Sequence, residues 1–317
     1  MAASRDPNPR TATSEATLRA AGVTVELGVE QEAADELNAP FFKFIRTGMP
    51  YVLCKMAMSL DGKSATAGRE SQWISGPEAR AQVQEWRATY AAVMVGIGTI
   101  LADDPSLTCR IDGAHFPVRV VLDPLAQMPP GARLFAHPGR VVIGVGPEAP
   151  EVAISALEAR GAEIVRLPAR PKERTADGVP GEFMSCADSV GGLRAESPGR
   201  TGAESTDGAS EYFIGYPRYV TRGVMVTDLL RSLSQGGVSS ILLEGGGGLN
   251  AAMLREGLID RVAFFVAPLL IGGRSAPTPI EGRGFAPLSE AVRLRSMRFR
   301  GVGSDILVEG DLESPES

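Results

Sequence analysis

The run Tyr51-Val-Leu-Cys-Lys-Met-Ala-Met-Ser-Leu-Asp-Gly-Lys63 sets a cation, Lys55, directly after an apolar strand-like tetrapeptide and six residues ahead of a turn-forming Asp61-Gly62 pair. Two readings fit a lysine there. It can sit at a sheet edge with its stem on apolar surface and its ammonium in water. It can equally be a catalytic or substrate-binding lysine at the carboxyl end of a strand, where open α/β sheets place their ligands. The carboxylates Asp103, Asp104 and Glu244 also fall at or just past strand ends, with Arg87 and Arg110 nearby in the pattern. Capping a helix is the structural alternative for Asp103, and Asp104-Pro105 suits a turn start. The two histidines, His115 and His137, lie beside loop prolines and read as surface residues, which leaves Ser/His/Asp hydrolysis poorly supported. Hydride transfer needs no nucleophile, only orientation, charge complementarity and a proton donor.

Two glycine clusters, "VMVGIGTILADDP" and "ILLEGGGGLNAAML", follow strand signals and precede helical or turn signals. Each could present backbone N–H groups to a phosphate. In the first, Gly96 and Gly98 follow a strand and Asp123 ends the next one, as in a dinucleotide fingerprint, but Leu101 fills the third glycine position and is too bulky for close helix–strand packing. Neither cluster matches the GxxxxGK[ST] pattern of a P-loop. A flexible turn is the plain reading of "EGGGG", yet four consecutive glycines opening a helix are costly without a reason. Close approach by a bulky anion is one.

The elements that must position these groups alternate. "YVLCKMAM", "AAVMVGI", "VRVVLD", "RVVIGVG", "EIVRLP", "SSILLEG" and "DRVAFFVAPLLI" read as strands. Between them "GPEARAQVQEWRATY", "EVAISALEARG", Thr227–Gln235 and Leu249–Glu256 read as helices. This predicts an α/β fold with a mostly parallel sheet and helices on both faces. The final run, "AVRLRSMRFRGVGSDILVEGDL", reads as two strands about a turn, an antiparallel edge on that sheet. From Ser14 to Asn38 the spacing allows one or two short helices around the strand-like "GVTVELG", and "PFFKFIRTGMP" leads as a connector into the first strong strand. Residues 168–222 are dense in Gly, Ser, Pro and charge, and are expected to form a disordered insertion whose aromatics "EYFIGYPRY" could dock its end.

At 317 residues with 44% hydrophobic content the chain can bury a full core. Its net charge of −6 provides no general field for nucleic acid or anionic membrane, so an anionic substrate needs locally placed arginines. Cys54, Cys109 and Cys186 lack CxxC spacing, which fits free thiols in a reducing compartment and argues against a zinc site. Without an apolar leader or a run of roughly 18 apolar residues, the cytoplasm is the expected location. The N-terminal Ala/Ser/Thr/Arg content has a transit-peptide flavour, against which Asp6 and Glu15 count.

Together "KMAMSLDGK", "ESQWISGPEAR", "VMVGIGTILADDPSLTCR", "ILLEGGGGLNAAMLREGLIDRVAFFVAPLLIGG" and "GSDILVEG" resemble the reductase domain of the bacterial riboflavin-biosynthesis deaminase/reductase, the RibD type. The resemblance implies a dihydrofolate-reductase-like fold over residues 50–312, usually dimeric. It implies NADPH-dependent reduction of 5-amino-6-(5-phosphoribosylamino)uracil to its ribitylamino product. Residues 1–49 resemble the tail of the deaminase domain and its linker, and 313–317 form a short tail. No histidine precedes His115, and no HxE or PCxxC pattern holds zinc, so deaminase activity is not expected and a separate deaminase partner is possible.

Carried over residue by residue, the resemblance implies cofactor contacts at Ala57, Trp73, Thr99, Asp103 and the loop Gly246, Gly247, Gly248, Leu249, Asn250, Ala251 and Ala252. It implies substrate contacts at Ser71, Ser75, Arg87, Leu107, Arg110 and Glu244, with Lys55. Ser75 stands where threonine is common, and Pro124 where a cofactor-touching serine is frequent. The mechanism expected is ring opening of the ribosylamine to an imine, with Lys55, Glu244 and Asp103 sharing proton transfer. Arg87 and Arg110 would clamp the 5′-phosphate with Ser71 and Ser75 as further donors. The competing readings are a reductase of the 2,5-diamino-pyrimidine or of a pterin, and a non-catalytic regulatory paralogue. No metal is expected.

Overall fold

The runs rich in Val, Ile and Leu become nine strands among the residues that this computed structural model describes, 6–11, 13–169 and 224–313. They are β1 (Tyr51–Ser59), β2 (Ala92–Gly96), β3 (Val118–Leu122), β4 (Val141–Val145), β5 (Ala162–Arg166), β6 (Ser240–Leu243), β7 (Arg261–Ala267), β8 (Leu294–Val302) and β9 (Asp305–Leu312). The helices are α1 (Ser14–Ala20), α2 (Gln31–Leu37), α3 (Ala39–Thr47), α4 (Pro77–Thr89), α5 (Ile97–Asp103), α6 (Glu151–Glu158), α7 (Val226–Gln235) and α8 (Gly247–Arg255).

All nine strands join one sheet in the order β5-β4-β3-β2-β6-β1-β7-β9-β8. The first seven pair in parallel, and β9 and β8 close the sheet antiparallel. This is the expected α/β fold with its antiparallel C-terminal edge. Alternation along the strands sends Leu53, Val93, Val95, Leu242 and Phe265 to a core shared with α4, α5 and α6. Val52, Cys54, Met94, Ile241 and Leu243 point the other way, into a core with α7 and α8. Burial on both faces explains why the strands read as continuous apolar runs rather than as half-polar ones.

Strand β6 arrives late in the chain yet inserts between β2 and β1. The connection after β2 leaves toward β3 on one side, and that after β6 leads to β7 on the other. The connections thus diverge at these central strands, and the carboxyl ends of strands at such a switch point are the place where open α/β sheets bind ligands.

Three local readings change. "GVTVELG" forms no strand, because Gly22 and Gly28, both at positive φ, turn the chain at either side of it. "PFFKFIRTGMP" is not a mere connector. It folds as α3, buries Phe42 and ends at Gly48 in the left-handed conformation that glycine tolerates. Lys43 on that helix reaches Asp260 at 2.6 Å, whose carboxylate also accepts the Val52 N–H at 2.7 Å. Helix α8 begins at Gly247, two residues before Leu249, so the glycines continue the helix rather than merely precede it. Apart from Pro168 and Ala169, the expected insertion at 168–222 lies outside the described residues; Ala169 pairs with Val224.

Candidate active site

Lys55 and Glu244 are brought together by sheet register. The last aligned pair of β1 and β6 is Cys54 with Leu243, so the next residue on each strand is one of the two. Both follow the parity of Leu53 and Leu242, which places them on the face covered by α4. The Glu244 N–H donates to Met94 O at 2.9 Å, holding the residue against β2.

Arg87, near the end of α4, descends onto this pair. Its Nε and Nη2 donate to the two Glu244 carboxylate oxygens at 2.7 and 3.0 Å, and its Nη1 donates to Thr108 O at 3.1 Å. The arginine is thus turned inward as a bidentate counter-ion. Burial pushes the Glu244 carboxyl up, but Arg87 and Lys55 together outweigh it and leave the group below the usual carboxylate range. Burial pulls the Lys55 ammonium below the usual lysine range; Glu244 opposes that fall and Arg87 adds to it. A lysine made easier to deprotonate beside a carboxylate kept charged has the electrostatics that proton transfer requires.

Around this cluster the other expected residues take distinct positions. Leu107 is buried with a positive φ, and its segment carries Thr108 to Arg87 and then exposes Arg110. The Arg110 backbone N–H donates to Gln84 Oε1 at 2.9 Å, and the residue is exposed. Thr99 and Asp103 lie on α5. Burial raises the Asp103 carboxyl, and a hydrogen bond from Gln72 lowers it in part. Ser71, Trp73 and Ser75 sit on the loop between β1 and α4, with Trp73 66% exposed. Ala57 lies on β1 two residues beyond Lys55 and packs on the α4 side of the sheet.

The glycine loop has a division of labour. A Cβ on Gly245 would meet Asn250 Oδ1 at 2.8 Å, and one on Gly247 would meet Glu281 Cγ and Thr278 O at 2.5 Å. These two glycines are demanded by packing. At Gly246, the N-cap of α8, nothing lies within 4 Å, and no side chain caps the helix. The first turn of α8 therefore has no side-chain cap at the positive end of the helix dipole, where negative charge is favoured. Gly248 continues that first turn. Asn250, fully buried, donates to Gly245 O at 3.2 Å and to Pro279 O at 3.0 Å, fixing the loop from below. Leu249 lies 3.7 Å from where a Gly96 Cβ would be, so the two glycine clusters of the sequence meet in space. Ala252 follows on the same helix, whereas Ala251 lines a separate apolar recess with Ile280 and Phe285.

Other motif residues prove structural. Asp61 accepts Ser59 Oγ at 2.6 Å and the N–H groups of Ile271 and Gly272 at 3.0 and 2.7 Å, and these bonds bring its carboxyl down to about 2. Asp123, at the end of β3, is buried and accepts the Met128 N–H at 2.8 Å, so it shapes its own loop. Thr108 escaped the sequence reading because it acts through its backbone carbonyl. Gln72 escaped because a glutamine carries no charge signal. Among the described residues no group of three or more His, Cys, Asp or Glu could hold a metal ion.

The family model of the RibD C-terminal domain matches residues 50–172 and 200–308. This chain belongs to the RibD C-terminal domain family. The riboflavin biosynthesis protein RibD of Actinobacillus pleuropneumoniae is 35% identical over 315 residues, covering 98% of this chain and 70% of that protein. The 2,5-diamino-6-ribosylamino-4(3H)-pyrimidinone 5′-phosphate reductase of Methanothermobacter thermautotrophicus is 36% identical over 82% of this chain and 97% of its own length. Among solved structures, Acinetobacter baumannii RibD superposes with a TM-score of 0.69 at 29% identity, covering 97% of this chain and 71% of that one. As a RibD-type reductase of riboflavin biosynthesis, the chain puts Lys55, Glu244 and Arg87 into one cluster within the matched residues.

Proposed function

We propose that this chain reduces 5-amino-6-(5-phosphoribosylamino)uracil to 5-amino-6-(5-phosphoribitylamino)uracil with NADPH. The observation that carries this reading is the Lys55–Glu244–Arg87 cluster at the carboxyl ends of β1 and β6, beside the open Gly246 at the start of α8. NADPH, when bound, supplies the hydride that the substrate's C1′ accepts. Gly246, Gly247, Gly248 and the first turn of α8 would hold its pyrophosphate, with Ala57, Trp73, Thr99 and Asp103 as further contacts.

The reaction needs the ribosylamine in its open imine form. Lys55, with its lowered pKa, donates a proton to the ring oxygen as the C1′–O bond breaks. Glu244, held charged by Arg87, accepts a hydrogen bond from the sugar and the exocyclic nitrogen and steadies the iminium charge that develops. Asp103, whose carboxyl is raised by burial, positions the cofactor or relays a proton from solvent to the opening sugar. Arg110, exposed beside this cluster in sequence, offers a guanidinium for the 5′-phosphate, with Ser71 and Ser75 as additional donors. In this reading Arg87, three of whose N–H groups bond Glu244 and Thr108 O, acts first as the counter-ion of Glu244 and keeps two N–H groups for the 5′-phosphate.

The Methanothermobacter relative favours a second reading, in which the substrate is the 2,5-diamino-pyrimidinone phosphate. The two substrates differ at the pyrimidine ring and share the phosphoribosylamine. Oxidation of NADPH measured with each, the uracil being generated in situ, decides between them. Turnover of neither would overturn the enzyme reading.

We also read the chain as a cytoplasmic homodimer. Met297, Phe299 and Ile306 at the β8–β9 edge are 62, 76 and 49% exposed, an apolar margin that a second copy would cover. Cys54 and Cys109 are free and buried, which fits a reducing compartment. Among the described residues no helix is long and apolar enough to cross a membrane.

A further inference from the structure

The late motif "GSDILVEG" contains a carboxylate that the reaction does not use. Asp305 opens β9 and is 2% exposed, and its Oδ2 accepts the backbone N–H of Gly76 at 2.7 Å, from 229 positions along the chain. Gly76 is the N-cap of α4 and the last residue of the loop that carries Ser71, Trp73 and Ser75. We infer that Asp305 is a positioning residue that sets this recognition loop for substrate and cofactor, an inference that rests on the reductase reading above.

Three observations make the contact more than a chance hydrogen bond. First, the β8–β9 turn is shaped to reach α4. Gly303 has a φ of +59°, and a Cβ there would lie 2.3 Å from Glu78 Oε2, so the turn lies directly against the first turn of the helix. Gly76 is equally confined, with Ser304 Oγ 3.2 Å from its would-be Cβ. Second, no side chain of the loop itself caps α4. A carboxylate from the distant hairpin stands at that end instead, where the helix dipole favours negative charge. Third, Arg80 grips the same loop from inside the helix. Its Nη1 donates to Ser75 O at 2.7 Å, and its guanidinium lies over the Trp73 ring at 4.8 Å from the centroid.

The loop is thus held at Gly76 by Asp305 and at Ser75 and Trp73 by Arg80, while Gln72 bonds Asp103. The reacting groups Lys55 and Glu244 come from β1 and β6 and are anchored independently. Releasing Asp305 should therefore loosen recognition and spare the proton-transfer pair.

The experiment compares Asp305→Ala and Asp305→Asn in steady-state kinetics and in Trp73 fluorescence. The protein has two tryptophans, Trp73 and Trp86, so a Trp86→Phe background makes the emission report the loop alone. Asp305→Ala should raise KM for the pyrimidine substrate about tenfold with kcat within about threefold, the signature of lost binding geometry. Trp73 anisotropy should fall in the same variant. Asp305→Asn keeps an acceptor for the Gly76 N–H and should restore both. An unchanged KM with unchanged anisotropy would overturn the inference, as would a fall in kcat alone, which marks a loss of folded protein. If Asp305→Ala does not fold, Asp305→Leu, which fills the same buried volume without an acceptor for the Gly76 N–H, carries the same two readouts. If wild-type protein turns over neither pyrimidine, the reductase reading fails, while the anisotropy comparison still judges the role of Asp305 in the loop.

Discussion

Arg87 holds Glu244 through two parallel N–H···O bonds of 2.7 and 3.0 Å, across 157 positions of sequence. With both side chains nearly buried, 12 and 13% exposed, the fork costs the pair its hydration and returns a fixed geometry and a carboxylate that stays charged. Lys55 lies in the field of both.

Arg87→Ala should shift the pH dependence in a defined sense. Arg87 depresses the Glu244 carboxyl, so its removal moves the acidic limb of kcat/KM to higher pH. It also depresses the Lys55 ammonium, so the alkaline limb, where that proton is lost, moves to higher pH as well. Both limbs travel upward together. Opposed shifts, or none, would separate Arg87 from the pair.

Lys55→Met keeps the aliphatic stem and removes the donor and charge. It should lower kcat by about 100-fold or more if the ammonium acts in the transition state, with NADPH binding intact. Normal turnover with a sharply lowered melting temperature would make the lysine structural.

Arg110→Ala should raise KM for the phosphorylated substrate by the equivalent of roughly 2–3 kcal/mol, the scale of a lost charge-assisted contact, and spare NADPH affinity. A dephosphorylated substrate should respond much less. Equal responses of the two substrates would remove Arg110 from the phosphate site.

The neighbouring glycines offer a built-in control. Gly247→Ala forces a Cβ to 2.5 Å from the Thr278 carbonyl, so it should destabilise the protein by about 1–3 kcal/mol, read as a lower denaturation midpoint. Gly246→Ala meets nothing within 4 Å and should leave the midpoint in place while raising KM for NADPH. An unchanged NADPH KM in Gly246→Ala would move the pyrophosphate elsewhere.

Phe299→Asp should convert a dimer to monomers in light scattering, because it places a charge at the centre of the exposed apolar margin. A monomeric wild-type protein would remove the need for a partner there.

Much of the fold was legible because it is written in local periodicity. The parallel strands announce themselves as Val- and Ile-rich runs, and α4, α6 and α7 begin and end close to where their spacing predicts. Segments whose structure depends on distant partners were harder. "GVTVELG" has strand composition yet is bounded by two left-handed glycines, and α3 packs as a helix with Lys43 held by Asp260.

The sequence by itself determined which residue types could do the chemistry, and its motifs placed Lys55, Glu244 and the glycine loop as candidates. Only the tertiary structure decided what those residues do to one another. Register sets Lys55 beside Glu244 because β6 inserts between β2 and β1, a neighbour relation with no trace in linear spacing. That same assembly paired Arg87 with Glu244, and it gave Asp305 a partner at Gly76. Charges and hydrogen-bonding groups are specified locally, but their pKa values and roles depend on distance and burial, which arise only when the chain has folded.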